Sequence, residues 1–450
     1  MTACAIETAA EDRGAVSRAG FTIAADGAYA ARLAGEGEAL YPERWTLDGP
    51  EPYAVPLPAA QPEDPHAQLL PLVDGRVLIG RRTDGRWVFS LLYPSGPRTG
   101  ELPLGAVGSA ELRLLPPSPD GARAYALVAG ERSTGIWLVA GGASGGPERV
   151  AEVGGHCTGG AWLDRSGRML VVDRREAGGG PVKSVAVDLG RGGEVTPLLQ
   201  ITEDSDDRVL LADPDSGLLL IRSDAPSPGH HRLGWGVLGS TLPVRFPECL
   251  RLGDAAVTPF AIQPGQSLTP EASAVALRID GAAGSWVGLW RPAGRRLHQL
   301  AAPQGWLAGA GAWSREGVLR LPYATRAVPC GLARVEAARV EAAAAVRAEG
   351  QGGGTAAVRA EGPGGGTAVV RAEAAGPGGG TAAVRAEAAG PGGGAAGTAG
   401  GAGPVPPSGH TRSPQPEPAP GEPPVPAATP GVCRPVPLQQ APLTGRTAPG

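Results

Sequence analysis

Aromatic side chains are missing from the last quarter of the chain. All nine Trp, six Tyr and four Phe lie between Phe21 and Tyr323 of the 450 residues. From Gln351 to Gly450 there are instead 24 Gly and 18 Pro. Such a segment cannot bury enough apolar surface to offset the entropy of ordering it. We therefore predict a folded body over residues 19–335 and a disordered Gly/Ala/Pro-rich tail over residues 336–450.

Lysine, long apolar runs and clustered cysteines are also scarce. Lys183 is the single lysine, and the net charge of −4 comes from interspersed charges, so no basic stripe for nucleic acid is formed. The sequence contains neither a run of about 18 apolar residues nor a signal-peptide pattern. Its five cysteines are scattered and odd in number, which is typical of reduced thiols. We expect a cytoplasmic monomer with no membrane insertion and no cofactor.

A long period organises the body of the chain. Turn dipeptides recur between short apolar runs, at steps of 48, 46, 46, 50 and 100 residues, the last being a double step with one marker missing. The dipeptides are Asp26-Gly27, Asp74-Gly75, Asp120-Gly121, Ser166-Gly167, Ser216-Gly217 and Glu316-Gly317. Each unit has four short strand patterns joined by tight turns. The sequence thus predicts an all-β fold, a seven-bladed β-propeller of four-stranded blades.

One repeat unit resembles a known family. The sequence SPDG at Ser118–Gly121 follows LRLLPP and precedes ARAYALV. It is similar to the strand-turn-strand signature of TolB-type propellers, which the propellers of prolyl-oligopeptidase-type peptidases share. The resemblance covers residues 19–335 and implies the fold alone. Such peptidases carry an α/β-hydrolase domain where this chain has its tail. TolB-type proteins are exported, whereas this sequence has no signal-peptide pattern. The resemblance therefore implies neither role here.

The loops between blades supply the candidate ligand-binding residues. Loops of this kind surround one mouth of a propeller channel, where ligands commonly bind. The candidates are His66, His156, Cys157, Asp204, Asp206 and Arg251. The run Thr202–Arg208 (TEDSDDR) could offer oxygens to Ca²⁺ but lacks EF-hand spacing, and is more typical of a solvated acidic loop. We assign no metal ligand.

Two further motifs match catalytic patterns without their structural context. Gly142–Gly146 (GASGG) fits the nucleophile elbow, but a strand pattern follows it where a helix is needed. Gly234–Gly239 (GWGVLG) fits a dinucleotide motif, but two prolines and no helical pattern follow. We predict a hairpin around Ser144 and an outer strand at Gly234–Gly239, and we assign no catalytic residue.

Two functional classes stay open. A non-enzymatic binding or scaffolding propeller with a protein partner is favoured, since no nucleophile, base and metal ligands converge in the sequence. The alternative is a metal-dependent hydrolase or lyase acting at the central channel. That class requires polar residues on the innermost strands of several blades, and these strands are nearly all apolar in sequence.

The seventh blade needs a further strand to close the ring. The seventh unit supplies only three strands, so an edge is left to pair. We predict that Thr2–Glu7, within the N-terminal segment 1–18, pairs with Cys330–Val335 as the fourth strand. The alternative folds Ala333–Val340 back as that strand and leaves the N-terminus free.

Overall fold

The computed structural model describes residues 20–348, 356–361 and 368–372, which contain seven antiparallel sheets, each one blade of a propeller. The first four blades have four strands each. Blade one comprises β1 (Thr22–Ile23), β2 (Tyr29–Ala34), β3 (Tyr41–Thr46) and β4 (Tyr53–Pro56). Blade two comprises β5 (Gln68–Pro71), β6 (Val77–Thr83), β7 (Arg86–Ser95) and β8 (Arg98–Gly108). Blade three comprises β9 (Leu112–Leu114), β10 (Ala124–Ala129), β11 (Ser133–Ala140) and β12 (Glu148–Gly154). Blade four comprises β13 (His156–Trp162), β14 (Met169–Arg175), β15 (Lys183–Asp188) and β16 (Glu194–Leu199).

The remaining blades vary in strand number. Blade five has β17 (Asp207–Ala212), β18 (Leu218–Ser223) and β19 (Arg232–Val237), and the bridge from Trp235 to Arg245 takes the place of a fourth strand. Blade six has β20 (Ala256–Ile262), β21 (Val275–Gly281), β22 (Gly284–Trp290) and β23 (His298–Leu300). Blade seven has five strands, β24 (Ala312–Trp313), β25 (Val318–Tyr323), β26 (Gly331–Glu336), β27 (Ala356–Glu361) and β28 (Ala368–Ala372). Three single 3₁₀ turns and the helix α1 (Ala337–Ala348) complete the described secondary structure.

The predicted turn dipeptides connect the first and second strands of their blades. All six glycines have positive φ, from 66° at Gly121 to 81° at Gly75 and Gly317. A side chain disfavours this region of backbone space, which is why glycine recurs there. The unit without a dipeptide is blade six, where residues 263–274 join β20 to β21. The predicted period is therefore confirmed.

Packing between neighbouring blades forms the core. Seven clusters of buried apolar side chains occur in the described residues, and each joins two adjacent blades. In the cluster that closes the ring, Cys330 and Leu332 of blade seven pack with Ala30 and Trp45 of blade one. Trp45 is fully buried there. Since burying one such side chain stabilises the fold by about 1.5–3 kcal/mol, side-chain packing joins the first blade to the last.

The first strand of each blade lies innermost, where first strands of successive blades contact one another around the channel. Strands alternate in direction, so the loops between blades and the hairpins between second and third strands lie on one face, called here the inter-blade face. The turns between first and second strands lie on the other, called here the hairpin face. Ser144 lies in the β11–β12 hairpin and Gly234–Val237 ends β19, as predicted.

The segment after residue 335 contains more structure than its composition predicts. Residues expected to be disordered form α1 and the strands β27 and β28. Ala337 and Val340 are buried against blades six and seven. Alanine, glutamate and arginine are strong helix formers, and the valine adds an apolar contact. The helix α1 therefore packs on the propeller beyond the body boundary predicted at residue 335, while the extent of the disordered tail stays a prediction.

The edge of β26 has a different partner from the one predicted. Leu332–Arg334 pair with Arg359–Glu361 of β27. Residues 2–7, predicted to pair at this edge, lie outside the described residues. The alternative is wrong, because Ala333–Glu336 belong to the third strand of the blade and α1 begins at Ala337.

Candidate functional site

Four predicted site residues lie in loops of the inter-blade face. His66 precedes β5, Asp204 and Asp206 precede β17, and Arg251 precedes β20. His156 and Cys157 were expected in the loop between blades three and four, but they are the first residues of β13. Gly159 and Gly160 follow with φ of 70° and 124°, at a bulge in this strand. The glycine-rich run that indicates a loop in the sequence is therefore an irregular inner strand.

The six predicted residues do not form one cluster. Within the described part of the chain, no hydrogen bond or ion pair joins any two of their side chains. The Asp206 carboxylate accepts a hydrogen bond from the backbone N–H of Val182 at 2.6 Å. The Asp206 N–H in turn donates to Asp224 at 2.8 Å. This aspartate therefore holds the loop to both blades.

A buried polar cluster that the sequence analysis missed lies beside these residues. Asp207, the first residue of β17, has no solvent exposure. Its carboxylate accepts hydrogen bonds from the Lys183 ammonium at 2.9 Å, the Ser223 hydroxyl at 2.6 Å and the backbone N–H of Ile201 at 2.9 Å. The Ser205 hydroxyl donates to the same carboxylate at 2.9 Å. The acidic run expected to be solvated therefore contains the most buried carboxylate of the loop.

A second carboxylate extends this cluster into blade four. Asp173 on β14 is 4% exposed and accepts hydrogen bonds from the Ser184 hydroxyl at 2.7 Å and from the backbone N–H of Val209 at 3.2 Å. Burial raises the pKa of Asp173, and its hydrogen bonds and nearby arginines oppose that rise. We call the six residues Asp173, Lys183, Ser184, Ser205, Asp207 and Ser223 the blade 4–5 cluster.

The blade 4–5 cluster fixes the start of the inner strand β17. The single hydrogen of the Ser184 hydroxyl is shared between Asp173 and the carbonyl oxygen of Asp207, while Lys183 donates to the carbonyl oxygens of Thr202 and Ser205. Arg208 follows directly and donates to the hydroxyl of the exposed Thr158 on β13, at 3.4 Å. Blades four and five therefore present Arg208 and Thr158 on rigid strands beside the channel. The single lysine of the sequence was the one available signal for this cluster.

Cys157 and His156 are not paired for nucleophilic chemistry. Successive side chains of a strand point to opposite sides, and here His156 is exposed while Cys157 is half-buried against blade three. Burial raises the pKa of the Cys157 thiol to about 11. A thiol is a nucleophile only as its thiolate, so this site disfavours attack by Cys157 near neutral pH.

An ion-pair cluster spans the channel on the hairpin face. Asp215, in the β17–β18 turn, pairs with Arg165 of blade four. Its second oxygen lies 3.7 Å from Arg315 of blade seven. The carboxylate side chain is only 9% exposed although it belongs to a turn. Since blades four, five and seven all contribute to this ion-pair cluster, the cluster narrows the channel opening on the hairpin face.

The described residues contain neither a cluster typical of a metal site nor a helix typical of a membrane span. No group of three or more His, Cys, Asp or Glu side chains there has the geometry to hold a metal ion. None of their helices has the length and apolar character needed to cross a membrane.

No protein-family model and no curated protein sequence matches the chain. Among solved structures, it is similar to TolB from Acinetobacter baumannii, with 12% identity, a TM-score of 0.37, and coverage of 68% of this chain and 76% of that one. It is also similar to prolyl oligopeptidase B from Galerina marginata, with 13% identity, a TM-score of 0.45, and coverage of 71% and 49%.

A third similar structure is the β-propeller domain of the Trilobed protease from Pyrococcus furiosus, described as having an open velcro topology. The identity is 12%, the TM-score 0.45, and the coverage 68% of this chain and 90% of that one. The chain spans about half of the oligopeptidase. These likenesses concern the propeller fold and carry no activity to this chain.

Proposed function

We propose that this protein is a non-enzymatic binding or scaffolding propeller that holds a protein partner at the channel mouth of the inter-blade face. The observation that carries the proposal is the placement of Arg208 and Thr158 on inner strands fixed by the blade 4–5 cluster. A rigid strand presents side chains with little loss of entropy on binding. An arginine at such a site donates well to carboxylates, so the partner segment is expected to carry acidic residues.

The opposite face supports this choice of mouth. On the hairpin face, Asp215 forms ion pairs with two arginines at the channel opening. On the inter-blade face, no ion pair joins the exposed side chains of His66, His156 and Arg251. A partner that approaches from that face can reach the inner strands without breaking these ion pairs.

The propeller-enzyme alternative has weaker support. Its strongest candidate nucleophile on an inner strand, Cys157, has a raised pKa and faces away from His156. Ser144 lies in an exposed hairpin and donates to the carbonyl oxygen of Gly146 at 3.1 Å, with no helix after it to form a nucleophile elbow. We expect a fluorophosphonate probe to leave Ser144 unlabelled. Labelling that the Ser144→Ala variant abolishes would favour the enzyme.

Photo-crosslinking tests the binding mouth directly. A benzoylphenylalanine at His156 reports on the inter-blade face, and one at the exposed Ala25 reports on the hairpin face. In the native host, we expect a discrete cross-linked protein from position 156 and none from position 25. That protein, once purified, should bind Arg208→Ala at least tenfold more weakly than the unmodified chain, with an unchanged melting temperature. Equal cross-linking at both positions, or full affinity of Arg208→Ala, would refute the proposal.

We also propose that the protein acts in the cytoplasm as a monomer. The described cysteines are Cys157, Cys249 and Cys330, all of them free thiols. Free thiols persist in a reducing compartment. Cell fractionation and light scattering on the purified chain test both statements, and a periplasmic pool or a dimer mass would contradict them.

A further inference from the structure

A cavity lies away from the channel, between α1 and the outer hairpin of blade six. Its volume is about 370 Å³, and it is lined by Arg291, Gly294, Arg295, Arg296, His298, Glu341 and Ala344. The strand β22 ends at Trp290 and β23 begins at His298, so the arginines belong to the turn between these two strands. The helix α1 contributes Glu341 and Ala344 to the opposite wall. A volume of this size is in the range of small-ligand sites, roughly 300–1,000 Å³.

One of the three arginines is already used by the fold. Arg291 pairs with Glu341 at 2.5 Å, which ties α1 to blade six. Its guanidinium also donates to the side-chain oxygen of Gln263 at 3.3 Å and to the carbonyl oxygen of Ala272. Arg291 therefore sets the position of the cavity wall, and Glu341 neutralises this one cation.

The other two arginines leave an excess of positive charge. Arg295 and Arg296 are exposed at the rim, and neither forms an ion pair with any carboxylate of the described residues. His298 is half-buried between them and Glu341, and burial lowers its pKa. The cavity is thus lined by three guanidinium groups and one carboxylate, and the histidine adds a hydrogen-bonding group.

We infer that this cavity is a binding site for the phosphate groups of a small ligand. Guanidinium groups match phosphate oxygens in geometry and form charge-assisted hydrogen bonds with them. A phosphate offers three acceptor oxygens, whereas a carboxylate offers two. The two rim arginines can therefore bind different oxygens of one phosphate, or neighbouring phosphates of a diphosphate, while the cavity holds the rest of the ligand. This site is independent of the proposed channel mouth.

Calorimetric titration with pyrophosphate, inorganic phosphate and citrate at constant ionic strength tests the assignment on the full chain. We expect pyrophosphate to bind more tightly than phosphate, and citrate to bind weakest. The double variant Arg295→Gln/Arg296→Gln should weaken pyrophosphate binding at least tenfold. The control Arg98→Gln/Arg132→Gln removes the same charge from exposed sites on blades two and three and should leave the affinity unchanged.

A third variant separates ligand binding from a structural role of the arginines. Glu341→Gln removes the negative charge that opposes an anion but keeps an amide oxygen that can accept the Arg291 hydrogen bond, so α1 should stay in place and pyrophosphate should bind several-fold more tightly. A merely structural cluster would bind more weakly when this ion pair is broken. The inference is overturned if citrate matches pyrophosphate, if the control variant loses as much affinity, or if Glu341→Gln weakens binding. Binding of a phosphorylated peptide without binding of pyrophosphate would also overturn it and would indicate a macromolecular partner.

Discussion

Replacing Asp207 by alanine is expected to destabilise the propeller by about 3 kcal/mol. Removing one partner of a buried ion pair costs about 3–5 kcal/mol, because the other charge stays buried and uncompensated. Lys183 is 16% exposed and keeps its hydrogen bonds to the carbonyl oxygens of Thr202 and Ser205, so the lower end of this range applies. The hydroxyls of Ser205 and Ser223 also lose an acceptor.

Urea denaturation followed by tryptophan fluorescence measures this loss, since the body contains nine Trp. Glu152→Ala is the matched control, because it removes a carboxylate that pairs with Arg149 at 2.9 Å on the surface. Exposed pairs contribute only about 0.2–1 kcal/mol. The double variant Lys183→Ala/Asp207→Ala should lose less than the sum of its single variants, by about 1–3 kcal/mol. A loss below about 1 kcal/mol for Asp207→Ala would show that the blade 4–5 cluster does not hold the two blades.

Three further predictions address other parts of the fold. Gly121→Ala should unfold at a clearly lower urea concentration than Gly27→Ala. Both glycines have positive φ, but a Cβ at position 121 would lie 2.0 Å from Val73, whereas one at position 27 meets nothing within 4 Å. Equal unfolding midpoints would refute this explanation. Val340→Ala should lower the free energy of unfolding by about 1.5 kcal/mol, because Val340 is buried against blades six and seven. Arg339→Ala should lower it by less than about 0.5 kcal/mol in the same urea titration. No difference between the two variants would mean that α1 does not pack there. Cys157, with a thiol pKa of about 11, should react with iodoacetamide at pH 7.5 about a hundredfold more slowly than a thiol of pKa 9.0. If mass spectrometry finds the rate of a thiol of pKa 9.0, burial does not protect this thiol.

The blade period was predictable because each inner turn makes a local demand on the backbone. A tight turn with positive φ requires glycine, and this requirement recurs at Gly27, Gly75 and the four later markers irrespective of tertiary contacts. The predicted Ser144 hairpin and the outer strand at Gly234 follow from the same local patterns.

The blade 4–5 cluster could not be predicted because its partners are brought together only by packing between blades. Lys183 begins β15 and Asp207 begins β17, so the rest of β15 and the whole of β16 lie between them, and a run of acidic residues does not reveal which one is buried. The structure of α1 was missed for a different reason, since composition was averaged over the tail. The Ala-, Glu- and Arg-rich run at residues 336–348 has a strong helix propensity that an average over Gly and Pro conceals.

Each described blade is complete within one continuous stretch of the chain. Blade one contains only β1–β4 and blade seven only β24–β28, so no sheet is assembled from two distant segments. A cut in any loop between blades therefore leaves every described strand pair within one fragment. Fragments such as residues 20–154 and 155–372 would each retain whole sheets and would meet through two apolar interfaces, those between blades three and four and between blades seven and one. This architecture suits split-protein complementation and the exchange of entire blades as modules.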